Sequence, residues 1–592
     1  MKYMKYLFVI ALAMSAFANH ANAQASIQIL GGGSSAAWVE LGQAAVNGAG
    51  GTGTACTWTQ GKVSTILARD ARTGTPTDEQ GNIFVVWTPG TGTCLAPTGA
   101  YNIWAFMNLD SVVGNRCYFE VDSSGTPGCV QVMTIASGTT GVAGANLLCY
   151  PFATCAGFGD YDGTGTAGAG THFLAPAVET ALNGQHFFVG ATDIRPEDAK
   201  YAIFRGLTAC GSPIFRQAFD QQLRQTYGLG YANGDTIKSS FSTSKFNVLD
   251  FNITGNDPIN TSQPVPAYTV TPIGAQPIVV AVGPNDTTGN GLNLATDVPG
   301  FVLANFYDGT LGLAQDFPQP NPASPTIVNW PVTTLVREWL SGTYNVFEWS
   351  MINNSQYHTA QDAFNCSGSS FSANPMTLTS KNGVAGGGGG FAFRKRVIGT
   401  GQMTAQLQAA TDTDYRLGYF FWSAGNAAGL TNVKYLRVNG VDPLEDSYTN
   451  GTLPGSGGPG DPGLSAVTFK NLNQGDYPVW SAIRMISRGT GTTAVNSLIS
   501  ALQTLDLAQK DFILLANLKV WHSHYYMPVI GINTAANGAT INPATPNDLC
   551  SPAGGALAEQ GGDAGGANIL KQANLDFCSD FANNTGLINK TN

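Results

Sequence analysis

The apolar positions of this chain fall into short runs of two kinds. Ile27 to Leu30, Ile83 to Trp87, Phe187 to Val189, Pro277 to Val282, Arg416 to Trp422 and Val433 to Val438 are dense in β-branched and aromatic residues. Runs of that length and composition predict strands. Between them the period lengthens: Trp38, Leu41 and Ala45, then Met403, Leu407 and Ala410, then Val495, Leu498, Leu502 and Leu505 recur at three- and four-residue steps. Each set then occupies one face of a helix. Strands alternating with amphipathic helices predict an α/β protein with a largely parallel sheet. The stretches 88–150 and 530–592 are rich in Gly, Thr and Cys, poor in helical pattern, and read as disulfide-stapled decoration on that core. "GGGGG" at 386–390 and "LPGSGGPGDPG" at 453–463 read as loops, and no period of about 20–50 residues recurs to suggest a solenoid or propeller.

The N-terminus fixes the expected compartment. Lys2 and Lys5 precede the apolar run Leu7 to Met14, and Ala21-Asn22-Ala23 supplies a small-residue cleavage site. That layout predicts a secretory signal peptide cut after Ala23 and a periplasmic or secreted mature chain. Charged residues make up 11% of the sequence and the net charge is −10, which argues against nucleic acid as a partner. Ten cysteines in an exported chain point to disulfides. Pairing neighbours gives Cys56–Cys94, Cys117–Cys129, Cys149–Cys155 and Cys550–Cys578, with Cys210 and Cys366 left for a longer link.

Three loops carry possible chemistry. In "ILGGGSSAAW" (29–38) a strand ends in glycines before Ser34, Ser35 and Ala36 open a helix. Glycine lets backbone approach a ligand, and the helix start presents unpaired N–H groups, although a serine N-cap explains the same residues. In "GATDIRP" (190–196) Asp193 caps a helix or accepts a proton from a ligand. An acceptor carboxylate suits hydrogen phosphate and repels sulfate, which has no proton to give. In "FRKRVIGTGQMTAQL" (393–407) Arg394 and Arg396 precede Gly399, Thr400 and Gly401 at the start of an amphipathic helix, a natural cradle for a tetrahedral anion.

The order of these features resembles the PstS-type phosphate-binding proteins of bacterial ABC importers, which have the type 2 periplasmic-binding fold. "GGGSSA" stands where that family has Gly-x-Gly-Ser/Thr-Thr-Phe, and "VGATD" where it has Phe-Gly-Ala-Ser-Asp. "PIVVAVGP" (277–284) resembles its crossover strand, and "LVREWLSGTYNVFEW" (335–349) its IF-SG-I-W segment. Arg394 to Thr400 resembles its Arg-x-x-x-Ser-Gly-Thr anion loop with Ile398 in place of the serine. "YRLGYFFWS", "VKYLRVNGVDP" and "GDYPVWSAIRMIS" follow in the family's order. The family's Gly-Ser-Gly-Gly loop finds its counterpart in "DYDGTGTAGAG" (160–170), with Thr164 or Thr166 as donor.

The resemblance implies a two-lobed α/β protein with disulfide-stapled insertions. Lobe I is expected at 24–276 plus 436–592 and lobe II at 277–435, with a cleft between them. It further implies capture of phosphate or a similar protonated oxyanion by Ser34, Ser35, Ala36, Thr164 or Thr166, Asp193, Arg394, Arg396, Gly399, Thr400 and Gly401. The protein would act as a monomer that delivers its anion to an ABC permease, without cofactor, metal or chemical step. No Gly-x-Ser-x-Gly elbow, His-Glu-x-x-His or paired-acid spacing anchors an enzyme reading. "DYDGTG" lacks the remaining ligands of a calcium loop, and His522 and His524 lack a third metal ligand nearby. The competing reading is an extracellular structural or adhesive protein on the same scaffold, without a working anion site.

Overall fold

The computed structural model of the chain describes most of residues 24–139, 174–193, 269–351 and 376–514. The first part carries β1 (Gln24–Gly33), α1 (Trp38–Gly48), β2 (Cys56–Gln60), β3 (Ile66–Asp70), β4 (Asp78–Glu79), β5 (Ile83–Trp87), β6 (Ala100–Asn108), β7 (Gln131–Ile135), α2 (Pro176–Leu182) and β8 (Val189–Thr192). The long β9 (Thr269–Gly283) follows, then β10 (Asp297–Val298), α3 (Gly300–Asp308), β11 (Val332–Arg337), α4 (Gly342–Phe347), β12 (Met376–Thr379), β13 (Phe393–Val397) and α5 (Gly399–Gln408). Last come β14 (Tyr415–Phe421), α6 (Ala424–Ala427), β15 (Lys434–Val438), α7 (Lys470–Gln474), β16 (Trp480–Ser487), α8 (Thr490–Leu502) and β17 (Ile513–Leu514).

The architecture is α/β, built on a 14-stranded sheet whose main path runs β12-β13-β11-β14-β9-β16-β8-β1-β6-β5-β2. A separate three-stranded sheet holds β4-β3-β7. The large sheet is mixed, not largely parallel. β1 runs parallel to β6 and β8, and β11 parallel to β13 and β14, but β9, β16, β5, β2 and β12 pair antiparallel to their neighbours. β1 is apolar on both faces at Ile29 and Leu30, as a parallel strand covered on two sides requires. Helices α1 and α8 pack on each other and on the β1 side of the sheet, while α5 lies against β14, β11 and β9.

Residues 88–150 are more than decoration. β6 lies within them and pairs with β1 along its whole length, inside the sheet between β1 and β5. Its apolar core, Ile103 to Met107, follows a Gly- and Thr-rich stretch, 88–99, that masks the strand signal. Cys56–Cys94 forms as neighbour pairing expects and ties β2 to the loop after β5. The other expected disulfides, the signal peptide, the 160–170 loop, His522 and His524, and the 530–592 stretch lie outside the described residues.

β9 joins the two halves of the sheet. Thr269 to Pro277 pairs with β16, then Ile278 to Gly283 pairs with β14. Pro272 brings no ladder donor to this central strand, and the register shifts beside it, between Ile483 and Arg484 of the partner.

A buried acid pair sits near this junction. Glu40 of α1 shares a hydrogen bond with Asp511, whose Oδ1 also accepts the Ala424 N–H at 2.7 Å where α6 begins. Gln276 of β9 donates to the Asp511 carbonyl at 3.1 Å. Burial pushes both carboxyl groups up, Asp511 to about 6 and Glu40 well above the usual range.

Candidate functional site

Three loops meet where β1, β6 and β8 end. These strands run in parallel, so their C-terminal ends open at the same edge, where α/β sheets place ligands. Ser34 N–H donates to the Ala191 carbonyl at 2.7 Å, and Leu109 N–H to the Gly33 carbonyl at 2.7 Å. Gly33 has φ 136°, and a side chain there would lie 2.0 Å from the Ala191 carbonyl oxygen. Only glycine lets the β1 and β8 loops come so close. Asp193 follows β8 and is buried, and the Ser111 hydroxyl, from the loop after β6, donates to its Oδ1.

The other half of the sheet contributes from the C-terminal ends of β11 and β13, again parallel neighbours. Arg337 closes β11 and is buried. Its main-chain N–H reaches the Tyr419 hydroxyl at 3.3 Å, and Tyr419 stacks on Phe347 with ring centroids 3.9 Å apart. An aromatic stack thus fixes the strand end that carries the guanidinium. Arg337 Nη1 donates to Thr400 Oγ1 at 3.0 Å, which links it to the first turn of α5.

Ser341, Gly342 and Thr343, all buried, follow at the start of α4. Gly342 meets Asp193 directly: a Cβ there would lie 1.5 Å from Asp193 Oδ1 and 2.3 Å from Ser111 Oγ. The two halves of the sheet therefore touch through Asp193 and the Ser341-Gly342-Thr343 turn. Arg484 of β16 adds a third approach, with Nη1 donating to the Asp193 carbonyl at 3.4 Å.

Burial raises the Asp193 carboxyl above its ordinary range, against the Ser111 hydroxyl, its own main chain and the charges of Arg337 and Arg484, all of which pull it down. Desolvation wins because the group is enclosed on every side, and a neutral carboxyl loses less than a charged one there. The result is an acid held between two guanidinium groups, able to accept or release a proton inside the protein.

The structure brings some of the expected residues together. Ser34 is buried and its hydroxyl accepts the Ala36 N–H at 3.1 Å, so Ser34, Ser35 and Ala36 form the turn that leads from β1 to α1 beside Asp193's strand. Thr400 reaches the site through Arg337, and Gly399 and Gly401 flank it in the first turn of α5. Arg394 and Arg396 stand in β13 in register with Thr334 and Val336 of β11. Thr164 and Thr166 lie outside the described residues.

The arginine beside Asp193 is Arg337. Its segment, Arg337-Glu-Trp-Leu-Ser341-Gly342-Thr343, carries the full Arg-x-x-x-Ser-Gly-Thr spacing, with the serine that 394–400 lacks. That spacing was the signal for it. Ser111 has no comparable signal, being one serine in "LDSVVG", whereas Arg484 stands out as a lone charge within the apolar "WSAIRMIS".

No family model matches the sequence. No curated protein matches it either. Solved structures with similar chain traces include an ABC-type phosphate transport receptor from Vibrio cholerae (11% identity, 44% of this chain and 78% of that one, TM-score 0.25). Another, from Clostridium perfringens with phosphate bound, is assigned to the substrate-binding proteins of phosphate ABC transporters (13%, 42% and 72%, 0.26). A third is the ancestral soluble variant of the human phosphate-binding protein (14%, 57% and 97%, 0.25). Each likeness covers part of this chain at low identity, and the reading of the site rests on its own side chains.

Proposed function

We propose that this chain is an exported solute-binding protein that captures phosphate, or a similar protonated tetrahedral oxyanion, between the two halves of its sheet. One observation carries the reading: Asp193 from one half meets Gly342 and the charge of Arg337 from the other, Ser341 adjoins Gly342, and all four are buried. A guanidinium and paired hydroxyls bind anion oxygens, while a carboxylate among them accepts the one proton that distinguishes hydrogen phosphate from sulfate. Ser34, Ser35, Ser111 and Thr400 complete the donor set from the neighbouring strand ends. Arg394 and Arg396 belong to β13, the strand beside β11, and are the further candidates for positive charge. The halves would act as lobes that close on the ligand, with no chemical step.

Delivery to an ABC permease follows from the same reading, as does a periplasmic or secreted location behind the N-terminal signal sequence. The test is a calorimetric titration of the phosphate-stripped protein with inorganic phosphate and then sulfate. Heat with phosphate and none with sulfate is expected; no heat with either sinks the reading and leaves a scaffold without a ligand.

A further inference from the structure

Arg484 belongs to no part of the anion-loop pattern. It stands on β16 in register with Thr192, the residue before Asp193. On its other side the β9–β16 ladder shifts register next to Pro272, and a bulge of this kind re-aims the side chains around it. The side chain is among the largest fully buried ones, and it reaches the Asp193 carbonyl. A fully buried guanidinium on a central strand is costly unless it interacts with an acidic or carbonyl group.

We infer that Arg484 is a positioning residue of the oxyanion site: it anchors the Asp193 main chain and holds its side chain as a carboxylate, so that the site selects anions that retain a proton. This rests on the oxyanion reading itself. Among the described residues, the charged groups that act on Asp193 are Arg337 from β11 and Arg484 from β16; Ser111 adds a hydroxyl, and buried Asp110 precedes it in the chain. A carboxylate accepts from hydrogen phosphate and repels sulfate, whereas a neutral carboxyl donates to either. Selectivity therefore lasts only while Asp193 is charged. Removing the Arg484 charge lets Asp193 take up a proton at higher pH.

The experiment titrates inorganic phosphate and sulfate into the oxidised mature chain across about pH 4–9 and follows the ratio of affinities. Selectivity falls on acidification, and its midpoint is the readout. Arg484→Gln is expected to move that midpoint up by about one pH unit, whereas Arg484→Lys, which keeps the charge, leaves it in place. An unmoved midpoint in Arg484→Gln overturns the inference while the wild-type titration leaves the oxyanion reading standing. Absence of wild-type binding overturns both. Should circular dichroism show Arg484→Gln unfolded, the lysine variant decides: an unchanged midpoint supports the role of charge, and a shift of about one unit refutes it.

Discussion

Asp511→Asn should make the protein more stable at neutral pH, although it removes a buried hydrogen-bonding residue. Asn can still accept the Ala424 N–H and can donate to Glu40, so the local bonds have replacements. What disappears is a titration. Asp511 is raised from 3.8 to about 6 in the folded chain, mainly by burial. Between those values the native state holds a proton that the unfolded chain has released. Stability is therefore fully present below about pH 4 and falls as pH rises toward about 6. Two units correspond to roughly 3 kcal/mol, lost by the wild type and kept by the variant. Glu40, whose carboxyl is raised partly by the charge and hydrogen bond of Asp511, is relieved in the variant as well, so the difference between the two proteins reports the pair.

The assay is urea unfolding of both proteins, disulfides intact, at several pH values from about 4 to 7.5. The variant should match the wild type at the acid end and exceed it by roughly 3 kcal/mol at the neutral end. Equal stability at neutral pH, or a difference that does not change with pH, would refute the account of the pair.

Gly342→Ala should weaken phosphate binding by roughly 5- to 150-fold while each half of the sheet stays folded, because a methyl group there collides with Asp193 and Ser111 and overpacking costs about 1–3 kcal/mol. Wild-type affinity in that variant, measured by calorimetry, would mean the halves do not meet there when anion is bound. Asp193→Asn, which cannot carry the charge, should narrow the gap between phosphate and sulfate affinities, with sulfate binding appearing at neutral pH; an unchanged gap would return Asp193 to a capping role. Replacing Cys56 and Cys94 together with alanine opens a loop of 38 residues and should cost about 4 kcal/mol by the chain-entropy estimate, read as a lower urea midpoint.

The sequence was most legible where one physical signal acted alone. β5 falls at Ile83–Trp87 as its apolar run requires, and α1 contains its periodic face, while α5 and α8 end before Ala410 and Leu505, the last positions of theirs. β9 begins eight residues before the Pro277 run, since Thr269 to Gln276 mixes polar residues, one proline and one glycine and still pairs with β16. β8 starts at Val189, not Phe187, although the Phe188 N–H still donates to the Leu30 carbonyl of β1 at 2.9 Å.

Asp193 and the Gly-Ser-Ser loop were legible as candidates and lie on neighbouring strand ends; the arginine beside Asp193 had its own Arg-x-x-x-Ser-Gly-Thr spacing, but 394–400 carries nearly the same one. β11 and β13 are adjacent parallel strands, and each carries an arginine followed by a Gly-Thr pair and a helix: Arg337, last in β11, with Gly342-Thr343, and Arg394, second in β13, with Gly399-Thr400. Local pattern cannot say which strand end faces a third element from far along the chain. That depends on how the sheet halves meet, and Gly342 against Asp193 settles it in space.

The single strand β9, 15 residues long, also governs whether this architecture can be taken apart. A fragment ending at Pro277 would leave β14 with a bare edge, and one beginning at Ile278 would do the same to β16. Neither half is a portable module. A gene rearrangement that moved one half would have to duplicate the strand or graft it onto another, so the two halves are constrained to be inherited together.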